Sequence, residues 1–164
     1  MEKIKCIVIN MEKDTNRKSH MQNLLTELGF KNINFVFPIK VDSEILSYIK
    51  KKYPNFNTLA TSRISHFSTY INILENEQEE QFILFEDDIV PVENIEITKQ
   101  NIIKSLTEYP KDAHLIYLEY CMEDCNKRTK IENDFYKLYA PYCTAAIFYP
   151  SKNKKRHSRV YSYR

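Results

Sequence analysis

The sequence predicts an α/β domain of three layers built on a mostly parallel sheet. Three observations predict it. Short β-branched, apolar runs alternate with stretches of helical periodicity over the first two thirds of the chain. The last third is richer in strand-like runs. One central run, Phe82-Ile83-Leu84-Phe85, breaks abruptly into Glu86-Asp87-Asp88, as a buried strand does on reaching its own end.

Residues 3–10 (KIKCIVIN) read as the first buried strand. Asp14 to Asn16 supply capping chemistry for a helix running to Leu28, with Met21, Leu24, Leu25 and Leu28 along one face. Gly29 stands where a left-handed terminator is wanted. Residues 33–37 (INFVF) form the second strand, closed by Pro38. A weaker helix is predicted over 41–52, capped by Asp42 or Ser43, with Ile45, Leu46 and Ile49 inward. A loop with Pro54 leads to a helix starting at Thr61 or Ser62 and running to Leu74. Its inward positions are Ile64, Phe67, Ile71 and Leu74. After the acids, Asn94 or Thr98 opens a further helix to Leu106. Residues 114–118, 135–139 and 144–149 read as later strands, and 119–133 as polar and irregular. Residues 1–150 are read as one domain and 151–164 as a basic, disordered tail.

Composition narrows the function. The chain has 164 residues, 43% hydrophobic and 28% charged, with a net charge of +2, so no global field points to nucleic acid. The basic excess is local to Lys152, Lys154, Lys155, Arg156, Arg159 and Arg164, a charge run of the kind that is usually solvated. A single glycine excludes the Walker and dinucleotide phosphate loops, which need several. Cys6, Cys121, Cys125 and Cys143 make no paired zinc spacing. No apolar run approaches the roughly 18 residues of a membrane span. No transmembrane segment and a cytoplasmic setting are expected.

Chemistry gathers at the acids. Ligands of open α/β sheets sit outside the carboxyl ends of strands. Three carboxylates there repel one another unless a cation lies between them, and a divalent metal takes hard oxygen ligands. Glu86 and Asp88, two apart, leave an extended chain on the same side and are the expected metal ligands. A solvated acidic loop is the plainer alternative.

Three stretches in order carry a family resemblance: Ile9-Asn10-Met11 followed by Arg17; Ser65-His66 followed by Tyr70; and Ile83-Leu84-Phe85-Glu86-Asp87-Asp88-Ile89. Together they resemble glycosyltransferase family 25, over roughly residues 4–150. The resemblance implies a glycosyltransferase-A type fold and a sugar-nucleotide-dependent transferase. The implied donor resembles a UDP-sugar such as UDP-galactose, with Mn²⁺ (or Mg²⁺) bridging its diphosphate. The acceptor would be a glycan, a lipid-linked glycan or a protein, and no nucleic acid is involved. The family's Gly-Glu-x-Gly-Cys turn is replaced by Thr58-Leu59-Ala60-Thr61-Ser62, and the chain is expected to be shortened at its end.

Beside Glu86 and Asp88, the resemblance suggests donor-binding roles for Asn10, Arg17, His66 and Asp87. Asn10 would meet base or ribose, or serve as a strand-end turn residue. Arg17 would contact phosphate through its planar fork, or be a solvated helix arginine. His66 would bind donor or metal, or be a structural helix residue. Asp87 would orient ribose or reach the metal through water. Glu119 and Asp124 are candidate bases with no motif behind them. Two alternatives remain: a nucleotide-sugar-binding remnant without turnover, and a Mg²⁺-dependent phosphoryl-transfer or nuclease domain.

Overall fold

The computed structural model describes residues 1–52, 61–91, 93–119, 129–131, 135–137 and 145–150. The expected loop over 53–60, most of the irregular segment with Cys121, Asp124 and Cys125, Cys143, residues 138–139 of the 135–139 strand, residue 144 of the 144–149 strand and the basic tail lie outside the described residues. Two compact units emerge, one from Met1–Val36 with Glu79–Arg164, the other from Phe37–Gln78.

The first unit contains β1 (Lys5–Ile9), α1 (Thr15–Glu27), β2 (Asn32–Val36), β3 (Phe82–Glu86), α4 (Ile95–Thr107), β4 (Ile116–Glu119), β5 (Thr129–Lys130), β6 (Tyr136–Lys137) and β7 (Ala146–Tyr149). Five strands form one sheet in the order β2-β1-β3-β7-β4, and β5 pairs with β6 in a separate two-stranded ribbon. β1 runs parallel to β2 and β3. β7 is antiparallel to both β3 and β4, so it alone runs against the other four. The mostly parallel sheet predicted from the sequence is present.

Alternation along the strands decides the layers. Cys6 and Val8, Ile83 and Phe85, Ala146 and Phe148, and Ile116 pack with Met21, Leu24, Leu25 and Leu28 of the α1 segment and Ile102 of α4. Phe30 meets Phe85 edge-on at 6.3 Å between ring centroids. The opposite face, with Ile7, Ile9, Phe82, Leu84, Ile147 and Tyr149, is buried as well. Burial on both faces is what continuous apolar runs in parallel strands require. Cys6 is among the buried residues, and burial raises its thiol pKa far above the ordinary range.

The local signals are mostly realised. Gly29 adopts φ +94°, and its amide donates to the Thr26 carbonyl at 2.9 Å, closing α1 as a left-handed terminator. Asn94 caps α4, its side chain accepting from the Ile97 amide at 3.0 Å. Asp14 occupies the N-cap of α1 but makes no side-chain capping bond. Its amide instead donates to the Met11 carbonyl at 2.9 Å, so a backbone turn closes the β1–α1 connection.

The second unit holds α2 (Ser43–Lys52) and α3 (Thr61–Asn76). Asp42 caps α2, accepting from the Glu44 and Ile45 amides at 3.0 and 2.8 Å. The buried residues of α3 are Ile64, Ser68, Thr69, Tyr70 and Ile73, while Phe67, Ile71 and Leu74 are half-buried. The inward face is therefore rotated from the one predicted. Small hydroxyl side chains explain it: Thr69 Oγ1 accepts from the Ile39 amide at 2.9 Å and Ser65 Oγ donates to the Ile39 carbonyl at 2.6 Å, drawing that side of the helix inward.

Candidate functional site

β1, β2, β3 and β4 all end at one edge of the sheet, and β7 begins there. Asn10 follows β1, and its amide donates to the Val36 carbonyl at the end of β2 at 3.0 Å. Glu86 is the last residue of β3, paired with Ile9 on one side. On the other side its amide donates to the Ala145 carbonyl at 2.8 Å. Asp87 and Asp88 form the turn that follows. The strand alternation expected to put Glu86 and Asp88 on one side thus stops at Glu86, because the chain turns there.

Asp87 is buried, with its side chain 12% exposed. Both carboxylate oxygens are engaged. The buried Asn10 side chain donates from Nδ2 to Asp87 Oδ2 at 2.7 Å. Arg17, in the first turns of α1, donates to Asp87 Oδ1 at 3.0 Å. Nδ2 of Asn10 also donates to the Asp14 carbonyl at 3.2 Å, which ties β1 to the start of α1.

Asp88 is different: its side chain is 55% exposed, and Oδ2 lies 3.8 Å from the Arg17 guanidinium. The hydrogen bond to Asp87 and the charge of that residue push the Arg17 pKa further up, with Asp88 and Asp14 adding to the effect. Arg17 is itself half-exposed, so its fork faces both the acids and solvent.

Glu119 joins this edge from β4. It ends that strand beyond a register shift after Tyr117 and pairs with Ala146. Ala145 and Ala146 therefore stand between Glu86 and Glu119, and neighbouring strands lie about 4.8 Å apart. Partial burial raises the Glu119 pKa, and the charges of Asp88 and Glu86 raise it further.

Of the predicted site residues, Asn10, Arg17, Glu86, Asp87 and Asp88 come together at this edge. His66 lies in the second unit, on α3, where it is half-buried and its ring packs against Tyr70 at 4.6 Å. Sequence reasoning missed His20, whose Nε2 lies 3.1 Å from the Ile89 carbonyl just past the acid turn. Its spacing of three from Arg17 on one helix was the available signal. Among the described residues, no group of three or more His, Cys, Asp or Glu side chains is assembled to hold a metal. No described helix is long and apolar enough to cross a membrane.

A mostly parallel sheet, helices packed on it, and acids at the carboxyl end of its central strand define a nucleotide-sugar transferase-like α/β domain. The family model "Glycosyltransferase family 25 (LPS biosynthesis protein)" matches residues 3–163, nearly the whole chain, and the chain belongs to that family. It is a glycosyltransferase. A comparison with curated proteins finds no match.

Proposed function

We propose that this glycosyltransferase moves a galactose-like hexose from a UDP-sugar to a hydroxyl of a glycan, a lipid-linked glycan or a protein, with Mn²⁺ (or Mg²⁺) at the acid turn. The observation that carries the reading is the exposed Asp88 carboxylate at the carboxyl edge of the central strand, with Glu86 and Glu119 in electrostatic reach. The donor set fits a hard cation. Magnesium-type sites commonly take one or two carboxylates and complete their shell with phosphate oxygens and water, so a preassembled cage of three ligands is not needed. Asp88 and Glu86 would hold the ion. When bound, it offsets the charge of the departing diphosphate.

The chain's own residues supply the rest. Arg17 keeps a solvent-facing guanidinium at the same edge, suited to a phosphate oxygen. Glu119 has its pKa raised by burial and by Asp88 and Glu86. Such a carboxyl holds a proton to a higher pH than an ordinary one, and near operating pH it exchanges protons more effectively with an acceptor hydroxyl. The cytoplasmic setting expected from the sequence belongs to the same reading.

The test is calorimetric titration of UDP with and without Mn²⁺. Asp88→Asn should abolish the metal-dependent part of UDP affinity and leave the far-ultraviolet circular dichroism unchanged. No metal-dependent heat in the parent protein, or unfolding of the variant, would refute the proposal. Sugar transfer or donor hydrolysis separates an active enzyme from a binding remnant, and phosphodiester cleavage without UDP binding would favour the nuclease alternative.

A further inference from the structure

Asp87 sits in the middle of the acid motif, yet it is the acid least able to meet a ligand. It is buried, and its two oxygens are taken by Asn10 at 2.7 Å and Arg17 at 3.0 Å. Its neighbours are more open: Glu86 is half-buried and Asp88 is exposed. The turn after Glu86 separates them. Once the chain leaves the strand, the Asp87 side chain meets Arg17 of α1 and is buried, while Asp88 stays exposed.

The far end of the same turn is held by the same helix. A carbonyl oxygen only accepts, so His20 Nε2 carries the proton that it donates to Ile89 at 3.1 Å. Arg17 and His20 are three apart and share a face of α1. The helix thus grips the turn at Asp87 and again at Ile89, with Asp88 between the two grips. Asn10 adds a third hold from the end of β1, and is fixed in turn by the Asp14 carbonyl.

We propose that Asp87 is a positioning residue. Tied to Asn10 and Arg17, and assisted by His20 at Ile89, it fixes the turn so that Asp88 and Glu86 face the metal-bound diphosphate, and it does not itself contact ribose or metal. This rests on the metal-dependent donor site proposed above. Partners that orient a ligating carboxylate commonly carry a tenfold to hundredfold share of metal affinity without touching the ion.

The experiment uses the full chain, with Mn²⁺ titrated in the presence of UDP and with amide hydrogen exchange followed over residues 86–90. Asp87→Ala should raise the Mn²⁺ half-saturation concentration by about tenfold or more, while metal-free UDP affinity stays within about twofold of the parent. Asp87→Asn keeps an acceptor oxygen and should recover part of the loss. His20→Ala alters an exposed side chain and should raise the half-saturation by about threefold, although the imidazole touches neither ligand. All three should speed amide exchange at 87–90.

Unchanged half-saturation in folded Asp87→Ala and His20→Ala overturns the proposal. So does an equal loss of metal-free UDP affinity in Asp87→Ala, which would make Asp87 a direct donor contact. Should Asp87→Ala fail to fold, Asp87→Asn and His20→Ala decide by the same criteria. If the parent protein binds UDP no better with Mn²⁺, the metal reading fails by itself. Exchange at 87–90 then still decides the tether, unchanged rates in the variants rejecting it and faster rates supporting it.

Discussion

Replacing Asn10 with alanine removes a buried side chain that holds two elements at once. Its bond to the Asp87 carboxylate is 2.7 Å long, and the one to the Asp14 carbonyl is 3.2 Å. A hydrogen bond to a charged acceptor contributes about 1.5–3 kcal/mol, and a neutral one about 0.5–1.5 kcal/mol. Asn10→Ala should therefore destabilise the protein by about 2–4 kcal/mol, because the buried Asp87 oxygen is left without its donor. For a chain of this length that corresponds to a fall in Tm of about 6–12 °C. The sequence has no tryptophan, so the assay is urea and thermal unfolding followed by circular dichroism. Asn10→Asp sharpens the test. At neutral pH it sets two carboxylates at hydrogen-bond distance, which should cost more than alanine does. As pH falls, one of the pair takes a proton and donates it to the other, so the deficit of Asn10→Asp against the parent should shrink. A loss below about 0.5 kcal/mol for Asn10→Ala, the level of an ordinary surface change, would refute the reasoning. So would a deficit for Asn10→Asp that does not change with pH.

Three further outcomes follow from the geometry. Glu119 has a folded-state pKa above its unfolded value of 4.5, so the folded protein binds more protons, and this residue lowers stability as pH rises through that window. Glu119→Gln should then raise Tm at pH 7 and lose that advantage well below pH 4.5, as thermal scans across pH would show. Gly29→Ala places a Cβ at an ordinary 3.7 Å from Lys99 Cε and Met1 Cε, so crowding is not the obstacle. The φ of +94° is, and the variant should lose about 1–2 kcal/mol in chemical denaturation. Asn94→Ala removes the 3.0 Å cap bond of α4 and should cost about 1 kcal/mol in the same measurement, with Asn94→Ser restoring most of it.

Much of this protein is legible in its sequence, because local signals and burial agree. The apolar runs around Ile7 and Leu84 can be satisfied only inside a sheet, the Met21, Leu24, Leu25 and Leu28 spacing fits one helical face, and Gly29 is the residue that tolerates a positive φ. The acids at the end of β3 mark the candidate site in the sequence, because they follow a buried strand directly. What the sequence cannot show is which acid faces where. The turn after Glu86 ends the strand alternation, Asp87 meets Arg17 of α1 while Asp88 stays exposed, and Glu119 arrives from a strand that reaches this edge only through the intervening, reversed β7. Asn10 and Arg17 lie 77 and 70 residues from Asp87, and His20 lies 69 from Ile89. No local propensity encodes contacts at that separation. The rotated face of α3 has the same origin, in hydroxyl bonds to Ile39. Sequence alone determined most of the elements and singled out the acids as the candidate site. Only the packed structure divided the acids between those that hold the turn and those that face outward, because strand pairing and helix docking, not residue type, set the direction of each carboxylate.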